Sequence, residues 1–249
     1  MRTAVTILFG MMLAAAAVAQ QKSADDLARR NFEIQAGPAW DKARYFEFTF
    51  NVERGDHTIG ASFPQRWDRV TGEYRVAGRD PKQNDFVVIM NTNTRKGRAW
   101  MNGEEVKDSR LTDLFALAYR RFINDTYWLL MPLKMLDPGV HRSAEGERTD
   151  SCGRTWDLVK LTFDPGAGLT PDDQYWAWIN RDTGIVEEWD MRLQSMKAEE
   201  PLLETIFHDF RRVGGLLISV RREVRNKNQV IRFDDLKVSS DVPPGAFAK

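Results

Sequence analysis

The residues with chemistry to offer are few and scattered. His57, His141 and His208 stand far apart, and none has a second His or Cys at metal-ligand spacing, so the sequence supplies no zinc set and no cofactor site. His208-Asp209 falls within a strand pattern, where consecutive side chains leave on opposite faces, so the acid cannot orient the imidazole as a base. The lone cysteine, in Ser151-Cys152-Gly153, has no Gly-x-Ser-x-Gly elbow around it and no His or acid placed by motif to activate it. Four acid pairs, Glu104-Glu105, Asp172-Asp173, Glu187-Glu188 and Asp234-Asp235, invite a different reaction: hydrolysis of an envelope glycan by two carboxyls across a cleft. No Gly-rich phosphate cradle is present.

Apolar chemistry is better represented. Trp67, Trp100, Trp128, Trp156, Trp176, Trp178 and Trp189 all fall in or beside strand candidates, with Met90, Met101, Met131, Met135 and Met191 among them. Singly, each is an ordinary core residue, since aromatics dominate burial and Met fills irregular gaps. Together they exceed what one helix laid on a curved sheet can cover. The uncovered remainder is a cavity suited to an apolar ligand.

The elements that must position these residues are mostly strands. In Arg44–Val52, Phe46, Phe48, Phe50 and Val52 point one way and Tyr45, Glu47, Thr49 and Asn51 the other, which predicts a half-buried strand. Further strands are predicted around Thr58–Phe63, Arg66–Val70, Glu73–Ala77, Phe86–Met90 and Arg98–Met101. A later series covers Trp128–Met135, Trp156–Phe163, Tyr175–Asn180, Ile185–Leu193, Glu204–Val213, Leu216–Val224 and Val230–Val238. Asn102-Gly103 and Gly214-Gly215 read as two-residue hairpins, and such local connections imply antiparallel neighbours. Two segments break the pattern. Ser23 and Asp26 form a capping box that opens a short helix running to Gln35 and stopping at Gly37-Pro38, with a thin apolar face. From Arg110 to Tyr127, Leu111, Leu114, Phe115, Ala118, Phe122 and Ile123 follow helical spacing, with Asp113, Arg120, Arg121, Asn124 and Asp125 largely opposite. No Pro, Gly or Ser tract divides the chain.

Charge and the N-terminus bound the setting. The 36 Lys+Arg balance the 36 Asp+Glu, leaving no basic field for nucleic acid. Arg2, the apolar run Ala4–Leu13 and the small residues Ala17-Val18-Ala19 form an export signal over residues 1–19, with cleavage expected before Gln20 into the periplasm. The expected mature chain, residues 20–249, is one domain with no later apolar run long enough to span a membrane. One cysteine permits no internal disulfide, so the core must hold by burial.

Trp67-Asp68-Arg69-Val70-Thr71-Gly72-Glu73-Tyr74, Ala99-Trp100-Met101-Asn102-Gly103 and Leu133-Lys134-Met135-Leu136-Asp137-Pro138-Gly139, set in this order of elements, resemble the LolA/LolB-like lipoprotein-carrier superfamily. The resemblance implies a mainly β (α+β) fold, in which a strongly curved antiparallel sheet forms an open half-barrel. The N-terminal helix and the central amphipathic helix would plug it, and acyl chains would bind inside. The expectation is therefore a periplasmic carrier for a lipid, acyl chain or lipoprotein-like ligand, acting without covalent change, possible contacts being other envelope proteins. Facing alone nominates Phe46, Phe48, Phe50, Leu114, Phe115, Phe122, Trp176 and Trp178 as the apolar lining. A glycan hydrolase using an acid pair, and a structural or interaction module with a filled interior, are the alternatives.

Overall fold

The computed structural model describes residues 23–55 and 57–249; the expected leader and its cleavage point lie outside the described residues. Helix α1 (Ala24–Gln35) starts as its capping residues predict: Ser23 Oγ accepts from the Asp26 backbone N–H at 3.1 Å and donates to the Asp26 carboxylate at 2.6 Å. After a single turn, α2 (Ala39–Lys42), the chain enters β1 (Tyr45–Arg54), which lies in the middle of the sheet.

Two meanders leave from that centre. On one side β3 (Phe63–Asp68), β4 (Glu73–Arg79), β5 (Asp85–Asn91) and β6 (Lys96–Met101) lead to the short edge strand β7 (Glu104–Glu105), while β2 (His57–Thr58) pairs only with the end of β1. Helix α3 (Arg110–Leu130) and the 3₁₀ turn Met131–Leu136 then carry the chain across the concave face to the opposite edge. There β8 (Val140–Thr149) begins the return through β9 (Thr155–Phe163), β10 (Gln174–Asn180), β11 (Val186–Arg192), β12 (Leu203–Val213) and β13 (Leu216–Val224) to β14 (Gln229–Ser239), beside β1. Every pairing is antiparallel, and β7 and β8 do not meet, so the curved sheet stays an open half-barrel. The two predicted hairpins form at positive φ: Asn102 and Gly103 at +49° and +85°, Gly214 and Gly215 at +58° and +87°.

The interior is filled in three places. Phe46, Phe48 and Phe50 of β1 pack with Phe233 and Ile231 of β14 and with Leu129, Leu130 and Leu133. Val159, Leu161, Ala177, Trp189 and Phe207 form a second cluster under α1 and Met131. Tyr74, Val76, Phe86 and Val88 form a third under Leu114 and Ala118 of α3.

Three expectations are corrected. Trp128–Met135 is helical, the end of α3 and the 3₁₀ turn, because a short apolar run buried all round reads alike as strand or helix. Strand β8 went unread because its edge position leaves almost every side chain at least partly exposed, erasing the alternation. The candidates Thr58–Phe63 and Arg66–Val70 are one strand, β3, preceded by the two-residue β2, since Ile59–Ser62 form an irregular link with Gly60 at φ +76°.

Candidate functional site

Helix α3 buries apolar residues against the sheet towards its two ends, and between them Phe122 meets Trp67 and Tyr74 and Asp125 meets Gln65. Leu114 and Ala118 bury against β4–β6, and Leu129 and Leu130 bury against the β1/β14 core. Between them, Leu117 and Arg121, one turn apart, border a cleft on each side of the helix. The larger, about 1170 Å³, lies towards β1–β5 and is walled by Phe50, Val52, Phe63, Ala77 and Phe86. The smaller, about 560 Å³, lies towards β9–β11 and is walled by Tyr127, Met131, Phe163, Tyr175 and Met191.

Both clefts open at the same end of the half-barrel. Strand β1 reaches the larger one with its C-terminal residues, so β3 and β5, running the other way, reach it with Phe63 and Phe86 near their N-termini. Followed round the sheet, the same alternation brings the C-terminal residues Phe163 of β9 and Met191 of β11, and the N-terminal residue Tyr175 of β10, to that end. Among the described residues, the exposed large hydrophobics are Ile59, Val70 and Leu169. Ile59 lines the larger cleft and Leu169 the smaller, whereas Val70, the most exposed of the three, lies outside both.

Beneath the middle of α3 runs a buried polar chain. Tyr74 Oη donates to Gln65 Oε1 at 2.6 Å, and Gln65 Nε2 donates to Asp125 Oδ2 at 2.6 Å. Asp125 is fully buried and also accepts from Asn124 at 2.7 Å and, more loosely, from Arg121 Nη1 at 3.4 Å. Burial pushes its carboxyl up to about 6, against the charges and donors of Arg121, Asn124 and Gln65. The Arg121 guanidinium lies over the Phe63 ring at 4.1 Å and lines both clefts. Asp173, at the smaller cleft, accepts from Thr170, the Tyr175 hydroxyl and the Gln194 backbone N–H at 2.7 Å each. Burial, and then that Asp173 contact, push the Tyr175 hydroxyl up.

The structure distributes the residues nominated from facing. Phe50 borders the larger cleft. Phe46 and Phe48 are buried in the central core with Leu129, Leu130 and Leu133. Leu114, Phe115 and Phe122 pack on β4–β6. Trp176 and Trp178 stand on the opposite face of β10, because Tyr175, Ala177 and Ile179 take the core side. There Trp178 Nε1 donates to Asp190 at 2.8 Å, and burial pushes that carboxyl up to about 6. The residues missed were Leu117, Arg121 and Asp125. Only Asp125 carried a signal: Leu114, Ala118, Asp125 and Leu129 fall at spacings of four, seven and four, one continuous stripe that includes the acid.

Of the four acid pairs, Glu187-Glu188 included, only Asp173 lines either of these two clefts. Asp173 lines the smaller cleft while Asp172 is exposed, Glu105 pairs with Arg98 at 2.7 Å, and Asp234 pairs with Arg232 at 2.7 Å. Among the described residues, no group of three or more His, Cys, Asp or Glu is gathered as metal ligands. Cys152 sits exposed in the β8–β9 turn.

No family model matches the sequence, and no curated protein matches it. Among solved structures, the chain is similar to a LolA superfamily protein from Nitrosomonas europaea, at 13% identity and a TM-score of 0.52, covering 92% of this chain and 98% of that one. It is also similar to a DUF1329 family protein from Desulfovibrio piger, at 15% identity and a TM-score of 0.49, covering 89% and 94%. At these identities the shared property is the fold, and the fold is LolA-like.

Proposed function

We propose that this chain is an envelope binding or carrier protein for a lipid, acyl chain or lipoprotein-like apolar ligand. The observation that carries the reading is the pair of apolar-walled clefts on either side of α3, opening together and rimmed by Ile59 and Leu169. Their volumes reach or exceed the range of roughly 300–1,000 Å³ usual for small-molecule sites. Each methylene removed from water contributes about 0.8 kcal/mol, so a long acyl chain needs no elaborate polar recognition to be held. Binding by burial asks for no covalent step, and the two carboxylates at the larger cleft, Asp80 and Asp85, are each engaged by neighbouring protein donors. The export signal read in residues 1–19 supports a periplasmic location. Among the described residues, no helix is long and apolar enough to cross a membrane.

Native mass spectrometry of protein expressed with its leader and purified without detergent tests this directly. The expected result is a population carrying co-purified lipid, and uptake of a neutral naphthylamine dye by the delipidated protein. A clean apo mass together with no dye uptake sinks the proposal.

A further inference from the structure

The charged groups at the two clefts are not equally engaged. At the larger one, Asp85 pairs with Arg79 at 2.8 Å, and Asp80 accepts from the Lys82 and Asn84 backbone N–H groups and the Asn84 side chain. At the smaller, Asp173 is saturated by its three donors, and Arg120 is exposed. Arg121 differs from all of these. It lines both clefts, its side chain keeps 29% exposure, and its guanidinium carbon lies over the Phe63 ring, 4.1 Å from the centroid. Nη1 touches Asp125 at 3.4 and 3.5 Å, longer than the bonds that Asp125 accepts from Gln65 and Asn124. Among the described residues, Nε and Nη2 of Arg121 have no hydrogen-bond acceptor.

An uncharged ligand that closed over this position would strip water from two donors of a cation and return nothing, which is costly. An anionic group would replace that water with charge-assisted hydrogen bonds in the fork geometry that guanidinium offers. Resting on the carrier reading, we infer that the ligand is an anionic amphiphile whose carboxylate or phosphate head meets Arg121 between the clefts while its apolar tail occupies one or both. Arg121 sets the class of ligand, and the walls set its length.

The test is displacement of the neutral dye from the full mature chain by palmitate, cetyl phosphate, cetyl alcohol and inorganic phosphate. Both anionic amphiphiles displace it at concentrations about tenfold lower than the alcohol, the value of one charge-assisted contact. Inorganic phosphate, lacking a tail, displaces none; displacement by it would mark a simple anion site and overturn the inference. In Arg121→Gln the preference for acid over alcohol collapses towards unity, and in Arg121→Lys most of it returns. Equal displacement by palmitate and cetyl alcohol on the wild type overturns the assignment without any variant. Failure of the wild type to take up dye removes the carrier reading itself, a distinct outcome.

Discussion

Gln65 donates to the Asp125 carboxylate at 2.6 Å, and both side chains are sealed from solvent, so β3 and the middle of α3 are joined through a buried acid. Tyr74 completes the chain from β4. A packed hydrocarbon would hold the helix without this cost, so the acid should leave a signature in stability.

That signature is a pH slope. The folded-state value of Asp125, about 6, lies above the ordinary value for an aspartate, so the folded protein binds the proton more tightly. The contribution of this group to stability is fully present below about pH 4, falls as pH rises to about 6, and then levels, the full difference being on the order of 3 kcal/mol. Asp125→Asn keeps the acceptor for Gln65 and removes the titration. Denaturant titrations should find the variant equal to wild type near pH 4 and more stable near pH 7. A gap that does not change with pH would contradict this account.

Arg222 is a buried cation. It is 1% exposed, burial pushes its guanidinium down to about 9, and it has no acid partner: Nη2 donates to the Leu129 carbonyl at 2.9 Å, while Nε and Nη1 lack acceptors. The Leu129 bond and the Phe207 ring at 4.2 Å offset part of the desolvation. Arg222→Met, which keeps the aliphatic volume, should be at least as stable as wild type, and Arg222→Ala should lose about 3 kcal/mol through the cavity it leaves. Equal losses in the two variants would mean the charge is net stabilising.

Asn31 secures α1. Its side chain donates to the Pro132 carbonyl and accepts from the Val186 backbone N–H, each at 2.9 Å, with no exposure. Asn31→Ala orphans a buried donor and a buried acceptor, and about 2–4 kcal/mol should be lost. Hydrogen exchange at Val186 offers a local readout: its amide should lose protection before its neighbours do. Unchanged protection there would argue that α1 is held by packing alone.

Leu117 borders both clefts from a half-buried position. Leu117→Trp places an indole in that space, so dye uptake should fall several-fold while stability stays within about 1 kcal/mol, there being room to receive the ring. Undiminished uptake would place the ligand elsewhere.

What was legible in the sequence followed from local physics. The capping box at Ser23 and Asp26, the positive-φ turns at Asn102-Gly103 and Gly214-Gly215, and the inward Phe46, Phe48 and Phe50 each depend on a few neighbouring residues. The end of α3 was not legible, because Trp128–Met135 is apolar throughout and carries no period. The thin apolar face of α1 was read correctly but incompletely, since Asn31 makes up for it through bonds to partners 101 and 155 residues away.

The sequence by itself determined that the chain is a largely antiparallel β protein with two helices, because alternation, capping and turn chemistry act over a few residues. Tertiary structure alone decided that β1 pairs with β14, that α3 splits the interior into two clefts, and that Arg121 stands between them. Those relationships join residues far apart in the chain, and they are set by how a bent sheet closes around one helix rather than by any local pattern.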